Sequence, residues 1–257
     1  MTTPPRLTVA TADGTATVTI DNPARRNAMT PAMWESLPAL LAPLAADPAV
    51  RVLVLTGAGD TFCAGADISG FTDADGLRAA RTAAVAAEEA LAAFPKPTLA
   101  AVRGHCVGGG CQLAVACDLR FAAHGATFGV TPARLGIVYP AASTRRLVRL
   151  AGPSTAKHLL FSAELIDHER ALRVGLVDEV CPADGLDGRV RGYASLLASR
   201  SLLTQYAAKE FAGDIPGDSR SAYWAAQAAT STDALEGATA FLTRRPPSFT
   251  WTPPLPG

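Results

Sequence analysis

Hydrophobic and polar positions alternate along this chain in two different rhythms. In RLTVATADGTATVTI, residues 6–20, they alternate singly on either side of Asp13-Gly14, which predicts two half-buried strands joined by a tight hairpin turn. VRVLVLTG (50–57) and PTLAAVRG (97–104) are nearly unbroken apolar runs closed by glycine, the pattern of strands buried on both faces. LRFAAH, ATFGV and VGLVDEVCP add further strand signals. Between them the rhythm turns helical. Thr30-Pro31 supplies an N-cap and a first-turn proline, followed by MWESLPALLAPLAAD as an interrupted amphipathic helix. FTDADGLRAARTAAVAAEEALAAF (71–94) predicts a long alanine-rich helix and GGGCQLAVACD (108–118) a tightly packed one. Shorter helical stretches are expected near Pro153 to Ser162 and Asp167 to Val174.

Strand, loop and helix thus recur in order, which points to a layered α/β fold with parallel pairing. No fixed-period repeat is visible, so a solenoid is unsupported. From about Gly185 the composition becomes helical and ends in a proline-rich tail. The expected division is a core over 1–196 and a helical assembly region over 197–257.

Composition narrows the class. The 257 residues are 49% hydrophobic and 18% charged, with a formal net charge of zero, so no nucleic-acid partner is expected. The N-terminal stretch has no basic-then-apolar signal pattern and no apolar run is long enough to span a bilayer, so no membrane partner and a cytoplasmic location are expected. Five cysteines, at 63, 106, 111, 117 and 181, show no CxxC spacing; they read as buried thiols rather than a disulfide or metal framework.

Two loop-to-helix junctions stand out as places for chemistry: CAGADI, Cys63 to Ile68, and CVGGGCQ, Cys106 to Gln112. Each follows an apolar strand and puts small residues where unpaired N–H groups and a partial positive charge can meet an oxyanion. Tight helix–strand packing is the competing reading of the glycine triplet. GAGDTF and GGGCQL lack the third glycine of a dinucleotide fingerprint, GK[ST] is absent, and no GxSxG elbow occurs. The four histidines stand singly in the sequence, His124 and His168 as surface residues and His105 as a packed loop residue.

FCAGADI, KPTLAAVRGHCVGGGCQLAVACDLRFAA, FGVTPARLGI, RALRVGLVDEV and EGATAFLTRRPPSF together resemble the crotonase superfamily, also called the enoyl-CoA hydratase/isomerase family. The resemblance covers nearly the whole chain. It implies a crotonase-like α/β spiral of ββα units with a C-terminal helical region, assembled as a homotrimer or a dimer of trimers. It also implies an acyl-CoA substrate and no bound cofactor, coenzyme A being part of the substrate. Carried over by position, the N–H groups of Ala66 and Gly109 form an oxyanion hole for a thioester carbonyl. Arg25, Arg26, Ala28, Ala64, Asp67 and Ile68 line the coenzyme A path, with Phe241 and Arg245 reaching it across a subunit boundary. Asp67 has a second reading as the cap of the following helix, and Asp118 a structural one.

Hydratases of this family use two glutamates. The positions hold Gln112 and Pro132 here, and no aspartate or glutamate occurs from Gly125 to Ala163. Decarboxylation of a malonyl-type thioester needs no protein base, because the departing carboxylate supplies the electrons. TPARLGIVY resembles a segment of methylmalonyl-CoA decarboxylase-like members and places Thr131 and Tyr139 as groups that would orient the carboxylate or protonate the enolate. The expected function is therefore a decarboxylase-type acyl-CoA lyase. Two alternatives stay open: a hydratase or isomerase with an acid supplied from elsewhere, such as Asp73 or Asp75, and a non-catalytic acyl-CoA-binding homologue.

Overall fold

The computed structural model describes residues 4–68, 73–213 and 217–253. Strands β1 (Arg6–Ala12) and β2 (Thr15–Asp21) pair antiparallel through Asp13 and Gly14. Both turn residues have positive φ, 50° and 76°, as a two-residue hairpin turn requires. Next in chain order are β3 (Val52–Gly57), β4 (Thr98–Val102), β5 (His105–Val107), β6 (Leu119–Ala123), β7 (Thr127–Gly129), β8 (Ile166–Asp167) and β9 (Glu179–Cys181). They form two sheets, one ordered β1-β2-β3-β4-β6-β9 and a smaller one ordered β5-β7-β8. All pairings in the larger sheet beyond the first hairpin are parallel, as the unbroken apolar runs predict.

The helices are α1 (Pro31–Ala46), α2 (Ala74–Ala92), α3 (Gly109–Ala116), α4 (Pro132–Leu135), α5 (Ala141–Ser162), α6 (His168–Arg173), α7 (Leu186–Ala198), α8 (Leu202–Ala212), α9 (Asp218–Thr230) and α10 (Asp233–Thr243). Strand β3 shows why its first four residues are all apolar. Leu53 and Leu55 face a core with Trp34, Leu37 and Leu91 from α1 and α2. Val52 and Val54 face the opposite layer, where α7 packs Leu186, Val190 and Ala194. With both faces covered, the polar residue of the strand, Thr56, lies near its end and donates its hydroxyl to Ala101 O at 3.0 Å.

Thr30 caps α1, its hydroxyl accepting from the Met33 N–H at 3.3 Å. The helix runs unbroken through Pro38 and Pro43, where the sequence suggests interruption. Carbonyls at its C-terminal end are taken up by buried Lys96, whose Nζ donates to Leu44 O at 2.9 Å and Asp47 O at 2.6 Å. Helix α5 begins at Ala141, twelve residues before the expected Pro153, and Gly152 at φ 76° and ψ 163° breaks it before Pro153 restarts it. The expected surface histidines are a pair: His124 and His168 stack with ring centroids 5.3 Å apart.

The buried thiols set an alkaline limit. Burial pushes Cys63 and Cys117 up to about 12, and Cys106 well above its usual value. A raised thiol contributes stability below its unfolded pKa and loses it as pH rises toward the folded one. Lys96 works oppositely: burial pulls it down to about 8, penalising the charged folded form below that pH and relieving the penalty up to about 10.5. Three thiols outweigh one lysine. The urea midpoint is therefore expected to fall steeply above pH 9, each unmatched proton contributing about 1.4 kcal/mol per pH unit. A midpoint that stays flat from pH 9 to 11 would contradict this.

Candidate active site

The loop after β3 and the turn before α3 are stitched together along their backbones. Phe62 N–H donates to Arg103 O at 2.8 Å, Cys63 N–H to His105 O at 2.9 Å, and Val107 N–H back to Cys63 O at 3.0 Å. On the loop's other side, Ala64 N–H donates to Arg26 O at 3.0 Å, Met29 N–H to Gly65 O and Asp67 N–H to Met29 O, both at 2.8 Å. This weave leaves the Ala66 N–H with no backbone acceptor among the described residues. Gly109 opens α3, so its N–H has no intrahelical partner. A Cβ built on Gly109 would stand 3.5 Å from the Ala66 nitrogen, so the two donors lie side by side.

The glycine triplet serves packing and access together. Gly108 sits at φ 55° and ψ −119°, a conformation that side chains disfavour. A Cβ on Gly110 would fall 2.2 Å from the Cys63 carbonyl oxygen, and one on Gly109 would fall 2.8 Å from Trp34 Cζ2. The packing reading of the triplet is thus shown.

These donors open onto a cavity of about 270 Å³ whose lining includes Ala64, Ala66, Ile68, Gly109, Thr131 and Tyr139, with Gln112 and Pro132. The Tyr139 hydroxyl is buried without a hydrogen-bond partner among the described residues. Desolvation, and then the neighbouring Cys111 and Glu88, push its pKa well above the usual tyrosine value. It therefore stays protonated at neutral pH.

Behind Gln112 stands a residue that sequence reasoning missed. Glu88 of α2 is fully buried. Its Oε2 accepts from Gln112 Nε2 and, at 2.5 Å, from the Ser143 hydroxyl, while Oε1 accepts from Arg146 Nη1 at 2.6 Å. Arg146 also holds Glu89 at 2.7 Å. Burial pulls the Arg146 guanidinium down, but its bonds to Glu89 and Glu88 more than offset this and raise its pKa. A carboxylate can only accept, so it fixes the Gln112 amide with Nε2 inward and leaves Oε1 as the acceptor not committed to Glu88. Glu88 lies four residues from Ala84 and three from Leu91, on the inward face of α2, but beside Glu89 in an alanine-rich helix the sequence alone does not single it out.

Residues 10–252 match the family model described as Enoyl-CoA hydratase/isomerase. The chain is 37% identical over 217 residues to "Crotonyl-CoA hydratase" of Syntrophomonas wolfei, covering 79% of this chain and 82% of that protein. It is 34% identical to "(E)-benzylidenesuccinyl-CoA hydratase" of Thauera aromatica over 95% of this chain and 98% of that one. The chain belongs to the enoyl-CoA hydratase/isomerase family. A crystal structure described as a putative enoyl-CoA hydratase/isomerase family protein from Hyphomonas neptunium superposes with a TM-score of 0.90 at 34% identity, covering 96% of this chain and 98% of that one. The crotonase fold expected from the sequence is thereby shown.

Set against that family, the structure brings some expected site residues together and leaves others apart. Ala64, Ala66, Ile68, Gly109, Thr131 and Tyr139 share the cavity. Arg25 and Arg26 are exposed outside its lining, Ala28 is buried, and the segment they share is anchored by Asn27, whose Nδ2 donates to Ala58 O at 2.8 Å and Thr61 O at 2.6 Å. Phe241 and Arg245 lie elsewhere, on and just after α10. Phe241 is 84% exposed and Arg245 grips Glu236 with two bonds of 2.6 and 2.7 Å. Two expectations need correction, Asp67 as a helix cap and Asp73 or Asp75 as a source of acid in the cavity. Asp73, not Asp67, caps α2, accepting from Gly76 N–H at 2.7 Å. Asp75 pairs with Arg78, and neither Asp73 nor Asp75 lines the cavity. Phe71, where the sequence predicts the helix over 71–94 to start, lies outside the described residues. Asp118 is structural as expected, accepting from Thr98 N–H and Lys209 Nζ, both at 2.8 Å.

Proposed function

We propose that the chain binds an acyl-CoA thioester with its carbonyl oxygen between the N–H groups of Ala66 and Gly109, and runs a hydratase- or isomerase-type reaction through the enolate. The observation that carries this reading is the adjacency of those two donors at a cavity wall. The hydratase activities named for the relatives support it over decarboxylation. One oxyanion donor is typically worth ~2.7–4 kcal/mol in the transition state, so the retained feature is the energetically large one.

Proton handling differs from a two-glutamate site. In hydration, Gln112 Oε1 accepts a hydrogen bond from the attacking water and holds it in place. Water oxygen bonds to the β-carbon to give the enolate; Tyr139 then gives its proton to the α-carbon and takes the proton that the added water releases. The raised tyrosine pKa makes a free tyrosinate costly, so the two transfers occur in concert. Glu88 acts at one remove, by locking the amide. Arg25, Arg26, Ala28, Ala64, Asp67 and Ile68 flank the coenzyme A path, while Phe241 and Arg245 serve a neighbouring subunit of a trimer or dimer of trimers assembled through residues 197–257.

The test follows crotonyl-CoA absorbance and deuterium uptake at the α-carbon in heavy water. Tyr139→Phe keeps the ring and deletes the donor, and is expected to lower the rate ~10- to 150-fold with little change in stability. Equal rates in the two proteins would reduce Tyr139 to a wall of the pocket, and no turnover or exchange in the parent would remove the reading. Decarboxylation with Thr131 and Tyr139 is a second reading, favoured because no carboxylate lines the cavity among the described residues. Carbon dioxide release from methylmalonyl-CoA faster than crotonyl-CoA hydration would select it.

A further inference from the structure

We propose that the cavity selects acyl groups ending in a second carboxylate, which Arg81 binds at the end away from the thioester. This rests on the acyl-CoA reading of the cavity. Arg81 of α2 is the only charged residue in the described lining. Its Nη2 donates to Val138 O at 2.6 Å, linking α2 to the segment after α4. No carboxylate of the described residues stands within ion-pair distance of it, and the residues just before Asp73, Ser-Gly-Phe-Thr, carry no acid. Several other arginines of the chain are matched, Arg78 with Asp75, Arg146 with Glu88 and Glu89, Arg189 with Glu179, Arg220 with Glu210. Arginines without an ion-pair partner among the described residues, such as Arg25, Arg26, Arg134 and Arg145, lie outside the cavity lining.

A guanidinium offers five N–H donors in a planar fork. Val138 O engages one nitrogen, leaving donors for a carboxylate held in the two-bond geometry that arginine favours. The surrounding wall is apolar, with Leu77, Ala84, Leu135 and Ile137, so a methyl-ended chain fills space without meeting the charge, whereas a carboxylate-ended one reaches the exposed guanidinium at the cavity edge. A carboxylate and a phosphate would both suit this group, and coenzyme A itself carries phosphates. The test must separate the two.

Calorimetric binding of adipyl-CoA and hexanoyl-CoA, equal in chain length and differing in the terminal carboxylate, does so. Glutaryl- and suberyl-CoA with their monocarboxyl counterparts cover other reaches. The parent is expected to bind at least one dicarboxyl ester about 10-fold or more tightly than its counterpart. In Arg81→Met that ratio should fall to about one, with Arg81→Lys between. A parent without preference at any length overturns the proposal and leaves the acyl-CoA reading intact. Equal weakening of both esters in Arg81→Met also overturns it, assigning Arg81 to coenzyme A phosphate or to a strap alone. Failure of every ester to bind removes the acyl-CoA reading itself, and this proposal with it.

Discussion

Glu88→Ala is expected to lose about 3–5 kcal/mol of folding stability, the usual cost of removing one partner from a buried ion pair. For a chain of this size that is a melting temperature lower by ~6–20 °C. The carboxylate is fully buried and joins three helices: its own α2, Gln112 of α3, and Ser143 and Arg146 of α5. Alanine would leave the Ser143 hydroxyl and the Gln112 amide buried without an acceptor, at about 1–3 kcal/mol each. Arg146 would keep only Glu89, which is half exposed. Glu88→Gln is the informative contrast, because it keeps the volume and one acceptor oxygen and should lose distinctly less. Thermal and urea unfolding of the two variants measure the difference. An alanine variant as stable as the parent would mean that the carboxylate contributes no net stability.

Much of the fold was legible because its signals are local. The Asp13-Gly14 turn fixes the first hairpin, Thr30 fixes the start of α1, and apolar runs mark β3 and β4. Strands β5 and β8, with three and two residues, are too short to show any period. Helix α5 hides its start because Pro140 and the polar run after it read as loop, while Leu147 and Ala151 on its inner face bury only against distant elements. The candidate site divides the same way. Ala66 and Gly109 follow from small residues at helix starts, and the two replaced glutamates are visible as Gln112 and Pro132. What supports Gln112 is not visible, because Glu88 lies 24 residues before it and Ser143 is 55 residues beyond Glu88. In an alanine-rich helix the Glu88-Glu89 pair reads as a solvated face. Only packing shows that the first turns inward and the second outward.

The buried pair also predicts how carboxylate chemistry would return. Gln112→Glu alone would set two carboxylates against each other at hydrogen-bonding distance, where like charges 4 Å apart already repel by ~4 kcal/mol at an effective dielectric of 20. The single variant should therefore share a proton across the pair. Its pKa is raised, so stability is retained at low pH and lost as pH rises through that raised value. The exchange Gln112→Glu with Glu88→Gln avoids the conflict. Total charge is unchanged and Arg146 keeps Glu89. The amide introduced at position 88 can donate to the carboxylate introduced at position 112, while its carbonyl accepts from Ser143 or Arg146. The one carboxylate of the pair then lies on the cavity wall beside the Ala66 and Gly109 donors, where Gln112 stands now. A positioned general base contributes ~10²–10⁴-fold, so the double variant should hydrate crotonyl-CoA at least ~10²-fold faster than the parent, with a rate that rises as the new carboxylate ionises. Steady-state absorbance assays across pH on the parent, the single and the double variants measure this. A folded double variant no faster than the parent would show that the missing carboxylate at position 112 is not what limits hydration.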